Sequence, residues 1–134
     1  MKKILSILMV FVLSMCLSYP VYAVEPRSTN YKTTTTTGGK YGCADIKFRC
    51  TCVQDTAPGY FSYSSSITPP SNLKGFSFNQ VIRITLEDHK QNHYTCATSN
   101  FSKTLKNALL GGGSDMTVRS SAFGDASCSL SVTR

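Results

Sequence analysis

The stretch FSFNQVIRITLE, residues 76–87, decides the fold because apolar and polar side chains alternate along its length. Phe78, Ile82 and Ile84 share one parity with the apolar residues at its two ends, while Arg83 shares the other parity with polar neighbours. A period of two over this length is typical of a long strand with one buried face. Gln80 is the single polar residue on the apolar parity, which is compatible with a bulge at that point.

Extended segments are predicted on both sides of this strand. The turn at residues 88–92 leads into a segment that favours a returning antiparallel strand. The last segment of the chain alternates Cys128, Leu130 and Val132 with hydroxyl side chains, which predicts one buried and one polar face. The predicted strands are residues 43–53, 60–64, 93–98, 116–120 and 127–133.

One segment between these strands has a helical period instead. Phe101, Leu105, Ala108 and Leu109 recur at i, i+4, i+7 and i+8, and a run of three glycines at 111–113 follows them as a stop signal. The predicted fold class is therefore α+β, mainly antiparallel β. Its architecture is a small open barrel (OB-like) or a sandwich-like sheet, with one short packed helix.

The N-terminus predicts export by a cleavable signal peptide over residues 1–23. Lys2 and Lys3 precede an apolar run, and Val21-Tyr22-Ala23 supplies a cleavage site after Ala23. The apolar run is shorter than the roughly 20 residues that a bilayer span needs, so no transmembrane span is expected in the mature form. A secreted or periplasmic location follows.

Residues 24–40 predict a disordered, threonine-rich linker, because they offer almost nothing to bury. Residues 41–134 are predicted to form a single disulfide-containing, β-rich domain, whose marginal core the disulfides would support. Cleavage removes Lys2 and Lys3 and lowers the net charge from +7 to +5. The remaining basic residues are scattered and form no run that would follow a phosphate backbone, so no nucleic acid is expected as a partner.

Five of the six cysteines remain after cleavage: Cys43, Cys50, Cys52, Cys96 and Cys128. An oxidising compartment favours disulfides between them. Cys96 and Cys128 lie on the predicted inward faces of strands and are candidates to pair, which leaves Cys43 to pair with Cys50 or with Cys52. The odd number leaves one cysteine buried and free, or bridged to another molecule. A homo-oligomer or an intermolecular disulfide therefore stays open.

Asp88, His89 and His93 flank one predicted hairpin turn. These three side chains would form a metal clip or a general acid/base pair if the turn brought them together, whereas the simpler interpretation is solvated loop side chains. The chain carries no G-x-S-x-G, H-E-x-x-H or phosphate-cradling glycine motif. No catalytic residue, metal or cofactor is therefore assigned.

Tyr60, Phe61 and Tyr63 lie among serines, a composition that suits a carbohydrate-facing surface. Aromatic rings would face the sugar rings, and the hydroxyl groups would form hydrogen bonds. These three are the candidate ligand-binding residues, and an ordinary strand that buries alternate rings is the alternative.

Residues 80–134 resemble the B subunits of bacterial AB5 toxins, especially the pertussis-like and subtilase-cytotoxin-like group. The resemblance lies in the order of a strand hairpin with a cysteine, a helix, a strand, and a final strand with another cysteine. The corresponding runs are VIRITLED, HYTC, FSKTLKNALL, DMTVR and CSLSV. The resemblance implies an OB-like barrel, a ring of protomers and glycan binding.

The predicted function is that of an exported, non-catalytic binding protein whose ligand is a glycan, as for a toxin B subunit, or another protein. One alternative is a periplasmic inhibitor or envelope-complex component that binds a protein. The other is a small secreted basic hydrolase that uses His89 and His93.

Overall fold

A computed structural model describes residues 28–36, 44–54, 59–106 and 109–133. Within these ranges the chain forms eight strands and no helix. None of the described residues therefore belongs to a helix long and apolar enough to cross a membrane. The strands are β1 (Ser28–Thr36), β2 (Ala44–Gln54), β3 (Tyr60–Thr68), β4 (Ser77–Leu86), β5 (Gln91–Cys96), β6 (Asn100–Lys106), β7 (Leu109–Arg119) and β8 (Ala126–Thr133).

The strands form two four-stranded sheets in which every neighbouring pair is antiparallel. The first sheet has the order β1-β2-β3-β6, and the second has the order β5-β4-β7-β8. Both sheets are open, and one core cluster combines their inner faces. The prediction of a mainly antiparallel β domain is confirmed, and the architecture is two open sheets packed face to face rather than a closed barrel.

The alternation along β4 and β8 predicts their buried faces correctly. Ile82 and Ile84 are fully buried, as are Phe48 of β2 and Val118 of β7, which belong to the same cluster. Along β8 the burial alternates without exception between buried and exposed residues. Burying one such aliphatic or aromatic side chain stabilises the fold by about 1.5–3 kcal/mol.

Gln80 lies on the inner face of β4 without a bulge, and both the oxygen and the nitrogen of its amide form a hydrogen bond. Its Oε1 accepts a hydrogen bond from Ser65 Oγ at 2.7 Å, and its Nε2 donates to the carbonyl of Thr98 at 2.8 Å. These two bonds tie β4 to the first sheet and to the crossing segment between β5 and β6. The register irregularity of β4 lies instead between Thr85 and Leu86.

The predicted helix is wrong for the described residues, since Asn100–Lys106 is strand β6 and the glycines at 111–113 lie inside β7. The i, i+4 spacing of Phe101 and Leu105 fits a strand as well as a helix. Four residues are two full periods of a strand and about one turn of a helix, so the two side chains share a face in either structure. Pairing of β6 with β3 places Phe101 opposite Ser65 and Leu105 opposite Phe61. A helix of about ten residues is marginal alone, so these ladder bonds decide between the two structures.

The threonine-rich segment also differs from its prediction, because Ser28–Thr36 forms β1 rather than disordered linker. Threonine is β-branched and fits a pleated strand, and β1 gains a full ladder with β2. Thr36 is buried, and its hydroxyl donates to the carbonyl of Ala44 at 3.0 Å. The signal peptide, the remainder of the linker prediction (residues 24–27 and 37–40) and residues 41–43 lie outside the described residues.

Candidate functional site

The outer face of the second sheet contains an open groove of about 500 Å³ that runs over the glycine segment of β7. This segment lies between β4 and β8, which supply the two walls. Gly111 and Gly113 share the parity that points away from the core. The side chains that surround the glycine floor belong to Arg83, Thr85, Asp115, Ser129, Ser131 and Thr133.

The floor of the groove is backbone because a side chain is difficult to place there. A Cβ at Gly111 would lie 2.5 Å from the carbonyl oxygen of Val132, a backbone atom that cannot move aside independently. A Cβ at Gly113 would lie 3.3 Å from the carbonyl oxygen of Leu130, which is tight but tolerable. β7 therefore approaches β8 closely at Gly111, and the glycines leave the floor of the groove without side chains.

Gly112 points the other way and has a different role. A Cβ on Gly112 would lie 2.6 Å from two ring carbons of Tyr63. The ring therefore occupies the space that the Cβ of any other residue would need. Tyr63 is fully buried directly beneath the groove floor. The three glycines thus serve both faces of the sheet: two form the floor and one admits a core tyrosine.

A connected set of three side chains from three strands, here called the polar wall, crosses one end of the glycine floor. The guanidinium of Arg83 on β4 forms an ion pair with Asp115 on β7. Ser129 Oγ on β8 donates a hydrogen bond to the other carboxylate oxygen of Asp115 at 2.6 Å. The ion pair holds both side chains in place. Because each of them is about half exposed, they are still accessible to a ligand.

Arg83, one member of the polar wall, also belongs to a row of residues that crosses the whole sheet. Arg83 is paired with His93 on β5 and with Gly113 on β7, and Gly113 is paired with Ser131 on β8. His93 is exposed at the β5 end of this row. An imidazole, a guanidinium, a bare backbone position and a hydroxyl are therefore aligned on one surface.

A buried hydrogen-bonded cluster supports the floor from inside. The Tyr63 hydroxyl contacts Ser114 Oγ at 2.7 Å and donates to Cys50 Sγ at 3.1 Å. Burial raises the pKa of the Tyr63 phenol and also that of the Cys50 thiol above their usual ranges. Both groups therefore keep their protons at neutral pH, and Cys50 is a poor nucleophile.

Tyr60, Phe61 and Tyr63, the predicted ligand-binding aromatics, are not brought together on a surface. Tyr63 is fully buried and Phe61 is 5% exposed, whereas Tyr60 is 36% exposed. Alternation along β3 explains this outcome, since Phe61 and Tyr63 share the inward parity. Only Tyr60 is available to a ligand.

Asp88, His89 and His93 lie around the β4–β5 turn, as predicted, but they do not converge. Asp88 instead accepts hydrogen bonds from the Lys90 ammonium at 3.0 Å and from the Lys90 amide at 3.1 Å, and these bonds lower the pKa of its carboxyl. His89 is exposed in the turn with a positive φ of 60°, and His93 lies on β5 opposite Arg83. Among the described residues no group of three potential ligands is arranged to hold a metal ion.

The four described cysteines, Cys50, Cys52, Cys96 and Cys128, contain no disulfide among them. Cys96 and Cys128 lie on the two outer strands of the second sheet, in one row with Gln80 and Met116 between them. Three strand spacings separate them by about 14 Å, whereas a bridge needs Cα atoms within about 7 Å. The structure therefore does not bring this pair together. Cys43, the other proposed partner, lies outside the described residues.

Sequence reasoning missed the groove because it assigned the glycines at 111–113 to a helix terminus. The signal was nevertheless there. Ser114, Met116 and Val118 alternate with polar residues, and extending this period back through the glycines predicts a strand with a bare outward stretch. The contribution of Arg83 and Ser129 to the groove could not be predicted from the sequence in the same way, since it depends on the order of the strands in the sheet.

Comparison with known proteins assigns no family. The chain matches no protein-family model, no curated protein and no solved structure. Its function must therefore be inferred from the residues of the groove and of the sheets.

Proposed function

We propose that this chain is an exported, non-catalytic binding protein that holds a hydroxyl-rich ligand, a glycan, in the groove above Gly111 and Gly113. The observation that carries this proposal is the glycine floor next to the linked wall of Arg83, Asp115 and Ser129. Glycan recognition is also what the resemblance to toxin B subunits implies.

The chemistry of the wall suits a sugar. A carboxylate accepts and a guanidinium donates hydrogen bonds, so a fixed pair of them can bind neighbouring hydroxyl groups that act both as donors and as acceptors. The side chains of Ser131 and Thr133 add further hydroxyls along the groove. Because Asp115 is already held from two strands, little side-chain entropy is lost when a ligand binds.

The shape of the groove supports the same ligand class. A floor without side chains lets a ring lie directly on the backbone of β7, close enough to contact its peptide groups. The groove is open along the surface of the sheet rather than enclosed, which suits one unit of a longer chain.

The bonding of Asp115 supports binding rather than catalysis. Its two oxygens accept from Arg83 and from Ser129, which holds the carboxylate as an acceptor. A general acid would need the opposite arrangement, with the proton kept on the carboxyl group. His93, with two strands between it and Ser131, stands at the end of the row rather than over the floor.

A glycan array probed with the purified protein and with Gly113→Val tests the proposal. Valine suits a strand and fills the groove, so we expect each glycan bound by the natural protein to be bound at least tenfold more weakly by the variant. Thr95→Val on β5 is the matched control, because it adds an apolar side chain to the same face outside the groove. Equal binding by all three proteins, with unchanged melting temperatures, would contradict a site in the groove.

A further inference from the structure

The outer face of the first sheet carries an excess of positive charge. Lys47 and Arg49 lie two residues apart on β2 and point away from the core, and Lys106 lies at the far end of β6. Asp45 is the one carboxylate on this face among the described residues, and it accepts a hydrogen bond from Thr35 at 2.7 Å. This face therefore carries three basic side chains and one carboxylate.

The second sheet and its turns carry no such excess, because three basic residues there accompany four acidic ones: Arg83, Lys90 and Arg119 against Glu87, Asp88, Asp115 and Asp125. Ion pairs lie among these side chains. They join Arg83 to Asp115, Lys90 to Asp88 and Arg119 to Asp125. Among the charged residues of the described strands, the excess of basic residues therefore lies on the first sheet.

Hydroxyl side chains surround the cations of the first sheet in rows that cross the strands. One row runs through all four strands, from Thr29 through Thr51 and Ser64 to Ser102. Thr51 is buried by its neighbours, and the other three are exposed or half-buried. Strand spacing places successive hydroxyls of the row about 4.8 Å apart.

The neighbouring rows have the same character. Lys47 lies between Thr33 and Thr68, and Arg49 lies between Tyr31 and Ser66. The residues in register on both sides of each cation are thus of types that carry a hydroxyl group. The two cations lie about 6.8 Å apart along β2.

We propose that this face, defined by Lys47, Arg49 and the rows of hydroxyl residues beside them, binds an acidic polysaccharide chain. The cations would pair with its carboxylate or sulfate groups, and the serine and threonine hydroxyls would bind its sugar hydroxyls. The face lies on the opposite sheet from the groove, so this inference does not depend on the proposed function.

The composition of the face favours a polysaccharide over the two other common polyanions. Single-stranded nucleic acid is usually bound by a series of aromatic side chains on which successive bases stack. The two tyrosines at outward register positions of this sheet, Tyr31 and Tyr60, lie apart instead, opposite Arg49 and Lys106 respectively. An anionic membrane would require an apolar surface to insert beside the cations, and here the cations are surrounded by hydroxyls.

Isothermal titration of the purified protein with dextran sulfate, at low and at physiological salt, tests the inference. The test variant is Lys47→Gln/Arg49→Gln, and neutral dextran is the matched ligand. The control variant Lys90→Gln/Arg119→Gln removes the same number of charges from the other sheet. We expect the test variant to bind dextran sulfate at least tenfold more weakly, and the control variant to bind within about twofold of the natural protein.

Equal weakening by both variants would show that only net charge matters and would overturn the inference. So would tighter binding to single-stranded DNA or to anionic vesicles than to dextran sulfate. Ser66→Ala and Ser102→Ala together separate a hydroxyl-lined site from simple ion pairing, and unchanged affinity in that variant would also contradict it. We expect Gly113→Val to leave dextran sulfate binding intact. The proposal for this face can therefore be refuted independently of the proposal for the groove.

Discussion

Gly111, Gly112 and Gly113 are consecutive, yet each is glycine for its own reason. Gly111 lies too close to the backbone of β8, Gly112 admits the Tyr63 ring, and Gly113 leaves the groove open. The cost of substituting each of them should therefore follow what a new Cβ would meet rather than sequence position.

We expect Gly112→Ala to lower the free energy of unfolding by about 1–3 kcal/mol, the usual cost of overpacking a core. Gly113→Ala should change it by less than about 1 kcal/mol, because the contact is only tight and because alanine removes the entropic penalty of glycine in a strand. Urea denaturation of the two variants measures both values. Equal losses would show that the Tyr63 ring does not occupy the space beneath Gly112.

Tyr63 and Cys50 make the folded state less stable as the pH becomes alkaline. Burial raises the pKa of both groups in the folded state, so the folded chain holds these protons more tightly than the unfolded chain does. Their contribution is complete below the ordinary thiol value of 9.0 and is lost as the pH rises past it and past the ordinary phenol value of 10.0.

We therefore expect the free energy of unfolding to fall above about pH 9. Tyr63→Phe should reduce the steepness of that fall, although loss of its hydrogen bonds costs about 1 kcal/mol at neutral pH. Thermal melts from neutral to alkaline pH, on both proteins, measure this difference. An unchanged alkaline slope in the variant would show that the phenol is not the responsible group.

At the scale of strands, the alternation of apolar and polar residues was sufficient to predict the buried face wherever one face of the strand is almost entirely apolar. β4 and β8 were predicted from such a pattern, and the structure confirms their buried faces. β6 was not, because Phe101 and Leu105 fit both periods and nothing local distinguishes them. The pairing with β3 that settles its structure lies about forty residues away in sequence.

β6 offers a direct test of strand against helix. Ser102 and Thr104 are exposed on its outer face. Replacing both with valine should give a more stable protein than replacing both with alanine, by up to about 1 kcal/mol, because valine favours strands. Chemical denaturation compares the two double variants, which lose the same Ser62–Thr104 hydroxyl contact. A more stable alanine variant would indicate a helix, since alanine has the higher helix propensity.

The groove depends on strand order and could not be predicted from local pattern. Arg83, Asp115 and Ser129 come from β4, β7 and β8, and only the register of these strands joins them. Likewise, local parity placed Cys96 and Cys128 on inward faces but gave no indication that two strands separate them.

At the scale of the whole molecule, strand order makes a covalent prediction. Cys96 and Cys128 should not be linked, because β4 and β7 lie between their strands. Peptide mapping of the non-reduced protein by mass spectrometry tests this, and the same spectrum reports whether cleavage occurs after Ala23. A Cys96–Cys128 disulfide would contradict the order β5-β4-β7-β8.

The two sheets present different outer surfaces around one core. The first is basic and covered with hydroxyl groups, whereas the second has paired charges and a groove. Two separate ligand contacts on opposite sides would let one molecule bind a polysaccharide chain with one face and a sugar unit with the other.

The most direct measurement of the central claim is a two-dimensional NMR titration of the labelled protein with a glycan identified on the array. Binding in the groove predicts that the shifted amides cluster at Arg83, at residues 111–115 and at residues 129–133. Shifts confined to the turn around His89, or spread evenly over both sheets, would contradict it.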